Sequence, residues 1–177
     1  MQNISIEREE IKIPLSKNKL ILTFVGAWAF VIAGLWLALF LPGADLSAVL
    51  AGWAGIIFFG LCGTFLSFKI FDTKPGLIIN QTGILDNSSA LASEWIRWEE
   101  IEGIREIQVK NQKFIQIILK DPEAHIAKHK GYVKYLMQVN YKWYGSPVNI
   151  SSISLKTNFK ELRNIVEQKF LKPPGFQ

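Results

Sequence analysis

Two long stretches of this chain carry no charge, and the remainder alternates over short distances. From Leu20 to Leu41 (LILTFVGAWAFVIAGLWLALFL) and from Ala48 to Phe68 (AVLAGWAGIIFFGLCGTFLSF) no residue is ionisable apart from Cys62. At about 1.5 Å of rise per residue, each run makes a helix roughly 30 Å long, the hydrocarbon thickness of a bilayer. Two buried helices of a soluble core would have to be apolar on every side within a small protein. A cleavable leader would start earlier and be about half as long. The pattern predicts a transmembrane helical hairpin over 20–68, with 20–41 and 48–68 crossing and the turn at Pro42–Ser47.

The flanks set the expected orientation. Lys12, Lys17 and Lys19 precede the first run, Lys69 and Lys74 follow the second, and the turn holds only Asp45. Lysine and arginine stay on the cytoplasmic side, so both termini are expected there, with residues 1–19 as a cytoplasmic N-terminal segment of an integral inner (plasma) membrane protein. No charged residue marks an ion or proton path, which points to an anchor rather than a channel. Small residues four apart (Ala29 and Ala33, Gly34 and Ala38, Ala51 and Gly55, Gly60 and Thr64) suit close helix packing, within one hairpin or between hairpins.

From Ile70 the period changes. Strands are expected at Leu77–Asn80, Ile84–Ser88 and Trp95–Glu99. In GIREIQVKNQKFIQIILKD a hairpin sets Ile104, Ile107 and Val109 against Ile115, Ile117 and Leu119 across Asn111-Gln112. A further strand runs Val148–Leu155. The chain closes with NFKELRNIVEQKFLK, where Asn158 can cap a helix, Glu161 can reach back to it, and Phe159, Leu162, Ile165, Val166, Lys169 and Phe170 form one stripe. Six strands covered by one helix make the fold class α+β over residues 70–177.

The order of elements, and above all PGLIINQTGILDN and YGSPVNISS, resembles bacterial membrane proteins with two N-terminal transmembrane helices and a pleckstrin-homology-like (PH-like) domain. The resemblance covers nearly the whole chain from about Ile11. It implies a partly open antiparallel β-barrel of up to seven strands, capped by the C-terminal helix, and attaches no firm activity to it. The inositol-phosphate site of many eukaryotic PH domains does not carry over, because the turn Asn80-Gln81-Thr82-Gly83 has no basic residue beside it.

Composition narrows the chemistry. Hydrophobic residues make up 49% and charged residues 20%, which fits an apolar anchor joined to a polar domain rather than either alone. The single cysteine, Cys62, excludes an internal disulfide and a cysteine metal cluster. His125 and His129 lie four apart as two zinc ligands can, but Lys128 and Lys130 beside them disfavour a dication, and no metal or other cofactor is expected. Glu99, Glu100 and Glu102 are expected to face solvent at a strand end, with Trp98, Ile101 and Ile104 in the core. Ser88, Ser89 and Ser93 lack a nucleophile elbow, and no catalytic motif is recognisable.

A basic, aromatic helical insert spans about 122–145. On one continuous wheel over 124–144, Ile126, Val133, Leu136, Met137, Trp143 and Tyr144 share a side, and Lys128, Lys134, Gln138 and Lys142 oppose them with Lys130 at the border. Three readings stay open. The apolar side packs on the domain's own sheet, or lies on anionic headgroups of the inner leaflet, or docks a partner protein. Lys128, Lys130, Lys134, Lys142, Trp143 and Tyr144 are the candidate membrane-surface or partner face. Partners are expected to be the bilayer and a protein, with weak anionic-lipid contact and no nucleic acid. The function expected is a membrane-anchored binding or scaffold module, the rival being an enzyme or lipid-handling protein at the headgroup layer.

Overall fold

A computed structural model describes residues 10–89, 91 and 95–171. They fall into two compact units: Ser16–Thr73, and the described residues of Met1–Leu15 and Lys74–Gln177. The first is an antiparallel helix pair, α1 (Lys17–Leu39) and α2 (Leu46–Phe71). Both are long and apolar enough to cross a membrane by length and composition. Their outer faces carry Leu22, Ile32, Trp36, Phe58, Leu61 and Phe68 uncovered, so the helices are not the buried pair of a soluble core. Asp45 caps α2, its carboxylate accepting from Ala48 N at 2.9 Å.

The helices reach further at their charged ends than the uncharged runs suggest. At this end the Lys17 ammonium donates to Lys69 O at 3.3 Å, to Ile70 O at 2.6 Å and to Asp72 O. The last carbonyls of α2 have no intrahelical donor, and a lysine meets both that need and the negative end of the helix dipole. Toward the turn the backbones touch at Gly34 and Gly52, while Phe30 and Phe59 stack at 4.4 Å nearer mid-span.

The second unit holds seven strands among the described residues, one more than the sequence pattern predicts. The seventh is β1 (Ile11–Ile13), which precedes the helix pair and pairs antiparallel with β2 (Leu77–Ile79) through Ile11↔Ile79 and Ile13↔Leu77. In sequence the helix pair is thus an insertion between two paired strands, not an N-terminal appendage. The residues expected to be a plain 1–19 segment include part of the sheet, because two isoleucines around one lysine are too short to show a period.

Strands β1, β2, β3 (Gly83–Asp86) and β4 (Trp95–Arg97) form one sheet, in that order. Strands β5 (Ile101–Val109), β6 (Gln112–Leu119) and β7 (Val148–Ile150) form the other, and the described residues make no closed barrel. The expected strand Trp95–Glu99 breaks at a 3-10 turn over Trp98–Glu100, which turns the Trp98 indole inward to donate to Asn80 O at 2.9 Å. The β5–β6 connection is Lys110-Asn111, with Lys110 left-handed at φ 53°, one residue earlier than expected. Ile104 therefore opposes Ile117 but Ile107 opposes Phe114. The strand expected over Val148–Leu155 ends at Ile150, and only Leu155 returns to pair, with Leu15.

Helix α5 (Phe159–Leu171) forms as its stripe predicts. Asn158 Oδ1 accepts from Glu161 N at 2.9 Å, although the Glu161 carboxylate bonds the Thr157 hydroxyl instead of reaching back to Asn158. Leu162 and Val166 are fully buried with Leu77, Ile79, Ile84, Ile115, Ile117 and Ile150.

Candidate docking surface on the helical insert

The insert between β6 and β7 is two helices, not one. Asp121 caps α3 (Pro122–Ala127) by accepting from Ala124 N at 2.8 Å, and Pro122 fits the first turn, where its missing N–H is no loss. The chain then breaks over Lys128–Lys130, and Gly131 enters α4 (Gly131–Tyr144) at φ 59°. Gly145 ends α4 in the left-handed region at φ 80°, its N–H bonding Tyr141 O at 2.9 Å. Glycine holds that conformation without Cβ strain.

One buried polar side chain fastens α4 to the sheet. Gln116 of β6 is fully buried, and its amide donates to Tyr144 O at 2.8 Å and Asn149 Oδ1 at 3.0 Å. Its carbonyl accepts from Arg105 Nε at 3.1 Å and from Arg105 Nη2. The Ser146 hydroxyl adds a bond to Ile117 O immediately after the helix.

The break resets the helical phase, so the single wheel over 124–144 does not hold. Met137 is the centre of the buried side of α4, and Tyr144 is half-buried beside it. Trp143, expected with the apolar packing residues, is 70% exposed. It shares the outer side with Tyr132 (69%), Tyr135 (65%) and Leu136 (36%). Tyr132, Leu136, Val139 and Trp143 recur at helical spacing, one residue above the next. Trp143 and Tyr144 meet edge-to-face at 6.5 Å, one outside and one tucked in. The part of the apolar arc around Met137 packs on the domain, and the part around Trp143 does not. Tyr132 and Tyr135 fall beside Trp143 on the wheel, outside the apolar arc singled out from the sequence, and only the burial of Met137 shows which side of the helix faces out.

The lysines separate in the same way. Lys128, at the break, is held by Glu100 at 2.7 Å. Lys130 and Lys142 are exposed and Lys134 is half-buried. No acidic residue occurs between Gly131 and Tyr144. The outer side of α4 is therefore an aromatic strip with Lys142 at its border, while Lys134 lies across the helix from it.

Glu100 is not the purely solvent-facing residue expected. Burial pushes its carboxyl up, but the hydrogen bond and charge of Lys128, with His125 beside them, outweigh that and hold it below the ordinary glutamate value. His125 Nδ1 lies 3.8 Å from the same carboxylate. His125 and His129 are both buried, with rings 5.3 Å apart, and His129 Nδ1 contacts His125 O at 3.1 Å. Among the described residues no three His, Cys, Asp or Glu side chains come together as a metal site. A cavity of about 20 Å³ borders both histidines, Asp86 and Met137, room for a water-sized occupant. A shallow cleft of about 250 Å³ runs along Glu99, Glu100, Lys120, His125 and Lys128. The Asp86 carboxylate instead organises the following loop, accepting from Ser88 N at 2.8 Å and from the Ser89 hydroxyl at 3.4 Å. Ser93 lies outside the described residues.

Compared with known proteins, the chain matches no family model, no curated protein and no solved structure.

Proposed function

We propose that this chain is a membrane-anchored binding module of the bacterial inner membrane, with a PH-like domain that holds a protein or peptide partner at the cytoplasmic face. The uncovered apolar sides of α1 and α2 and the lysines at both outer ends of the pair support the anchor. Four strands, then three, then one helix support the PH-like reading. The observation that carries the binding role is β5. It is nine residues long and, among the described residues, pairs with β6 alone, leaving its other backbone edge to accept an extended segment. Arg105 and Gln108 stand exposed along it.

The cleft at Glu100, His125 and Lys128 favours the second reading, chemistry at the headgroup layer. Enzymes raise a carboxyl toward neutrality to make it a proton donor. Here the carboxyl is drawn down by a lysine, which suits an ion pair. The binding module ranks first.

Two measurements test this. A photo-crosslinking side chain at Gln108, in intact membranes, is expected to trap one discrete partner, and the same group at exposed Lys160 on α5 is expected to trap none. Indiscriminate adducts from both positions, or none from either, would remove the edge as a docking site. For topology, a reporter fused after Gln177 is expected to be active in the cytoplasm and one inserted at Asp45 active outside. Reversal of the two would sink the cytoplasmic assignment.

A further inference from the structure

We infer that the outer side of α4 rests on an anionic lipid surface, a contact that deepens the anchored reading above and rests on it. Tyr132, Tyr135, Leu136 and Trp143 are held outward because Gln116 and Met137 fix the other side of the helix to the sheet. Exposing two tyrosines, a leucine and a tryptophan on one strip is unfavourable in water, and none of the described residues of this unit covers them. Tyrosine and tryptophan each pair an apolar ring with a polar tip, which suits the boundary between headgroups and acyl chains.

Charge selects the occupant further. Lys142 borders the strip and Lys130 stands exposed just before α4, α4 has no acid to repel a phosphate-rich surface, and Lys128 is already neutralised by Glu100. A strip of four or five side chains is also small for a protein partner, since a stable interface takes about 20–30 residues a side. It is sufficient for a lipid surface, because the chain joins this unit to the helix pair twice, at Leu15–Ser16 and at Thr73–Lys74. A tethered contact needs little intrinsic affinity, as the second binding event is intramolecular. Anionic lipid attracts such lysines within about one Debye length, so the contact weakens as salt rises.

The test uses the full-length chain in lipid nanodiscs. Cys62→Ser removes the native thiol, and Tyr135→Cys carries an environment-sensitive fluorophore. Discs contain phosphatidylcholine alone or with phosphatidylglycerol, and bromine on the acyl chains acts as quencher. The expected result is a blue shift with bromine quenching in the phosphatidylglycerol discs. Both are lost at high salt and in Lys130→Gln, Lys142→Gln combined, whose melting temperature is unchanged. No shift in either disc, or an equal shift in both, overturns the inference. A shift confined to native membranes assigns the strip to a protein partner and overturns it as well. A chain that does not co-elute with the discs refutes the anchor and this inference together, whereas one that co-elutes without a shift refutes this inference alone.

Discussion

Replacing Gln116 by methionine is expected to destabilise the β-rich unit by about 2–4 kcal/mol, with the side chain's length kept and only its polarity removed. Gln116 is fully buried and satisfies Tyr144 O, Asn149 Oδ1 and the Arg105 guanidinium at once. Each group left without a partner in a dry site costs about 1–3 kcal/mol, less where it can turn to water. Arg105 is exposed enough to do so; the Tyr144 carbonyl, at the end of α4, is not free to move without releasing the helix. For a unit of this size the change corresponds to a fall in melting temperature on the order of 10 °C, read by thermal unfolding of the full-length protein in detergent. Gln108→Met, on the exposed part of the same hairpin, should stay within about 0.5 kcal/mol. Equal effects at the two glutamines would mean that the network does not fasten α4.

The second large effect is expected inside the helix pair. A methyl group at Gly52 would stand 2.8 Å from Gly34 O, 2.8 Å from Ala38 Cβ and 2.9 Å from Ala38 N. Two of these three are backbone atoms of the facing helix, so relief requires the helices to part rather than a side chain to turn. Overpacking of this kind costs about 1–3 kcal/mol, and more for a larger side chain. Gly52→Ala should loosen the pair and Gly52→Leu should separate it, as followed by titration with a denaturing detergent. Gly55 has nothing within 4 Å, so Gly55→Ala should cost nothing and gain up to about 1 kcal/mol of helix propensity. If Gly52→Leu and Gly55→Leu behave alike, the crossing is not at Gly34 and Gly52. The sequence offered eight small residues at spacing four; contact with the facing helix selects two of them, Gly34 and Ala38, and meets them with Gly52, which was not among the eight.

Some of this protein is written locally. The two apolar helices follow from uncharged runs of sufficient length, a property of composition that needs no partner. Helix α5 follows from its stripe and its Asn158 cap, and the β5–β6 hairpin from alternation, though its turn was misplaced by one residue.

What tertiary structure decided was which of several equivalent surfaces would be used. Strand β1 exists because the edge of β2 is there to bond Ile11 and Ile13, and three residues carry no periodic signal of their own. The residues around Gly131 could continue α3 or begin a new phase, and a left-handed glycine with the anchoring of Tyr144 by Gln116 settled it. That one turn sent Met137 inward and left Trp143 out, a division the wheel could not make. Periodicity reports that a helix has an apolar side wider than one contact. Only the packed neighbour fixes which part of that side is covered, and so which part remains to meet something else.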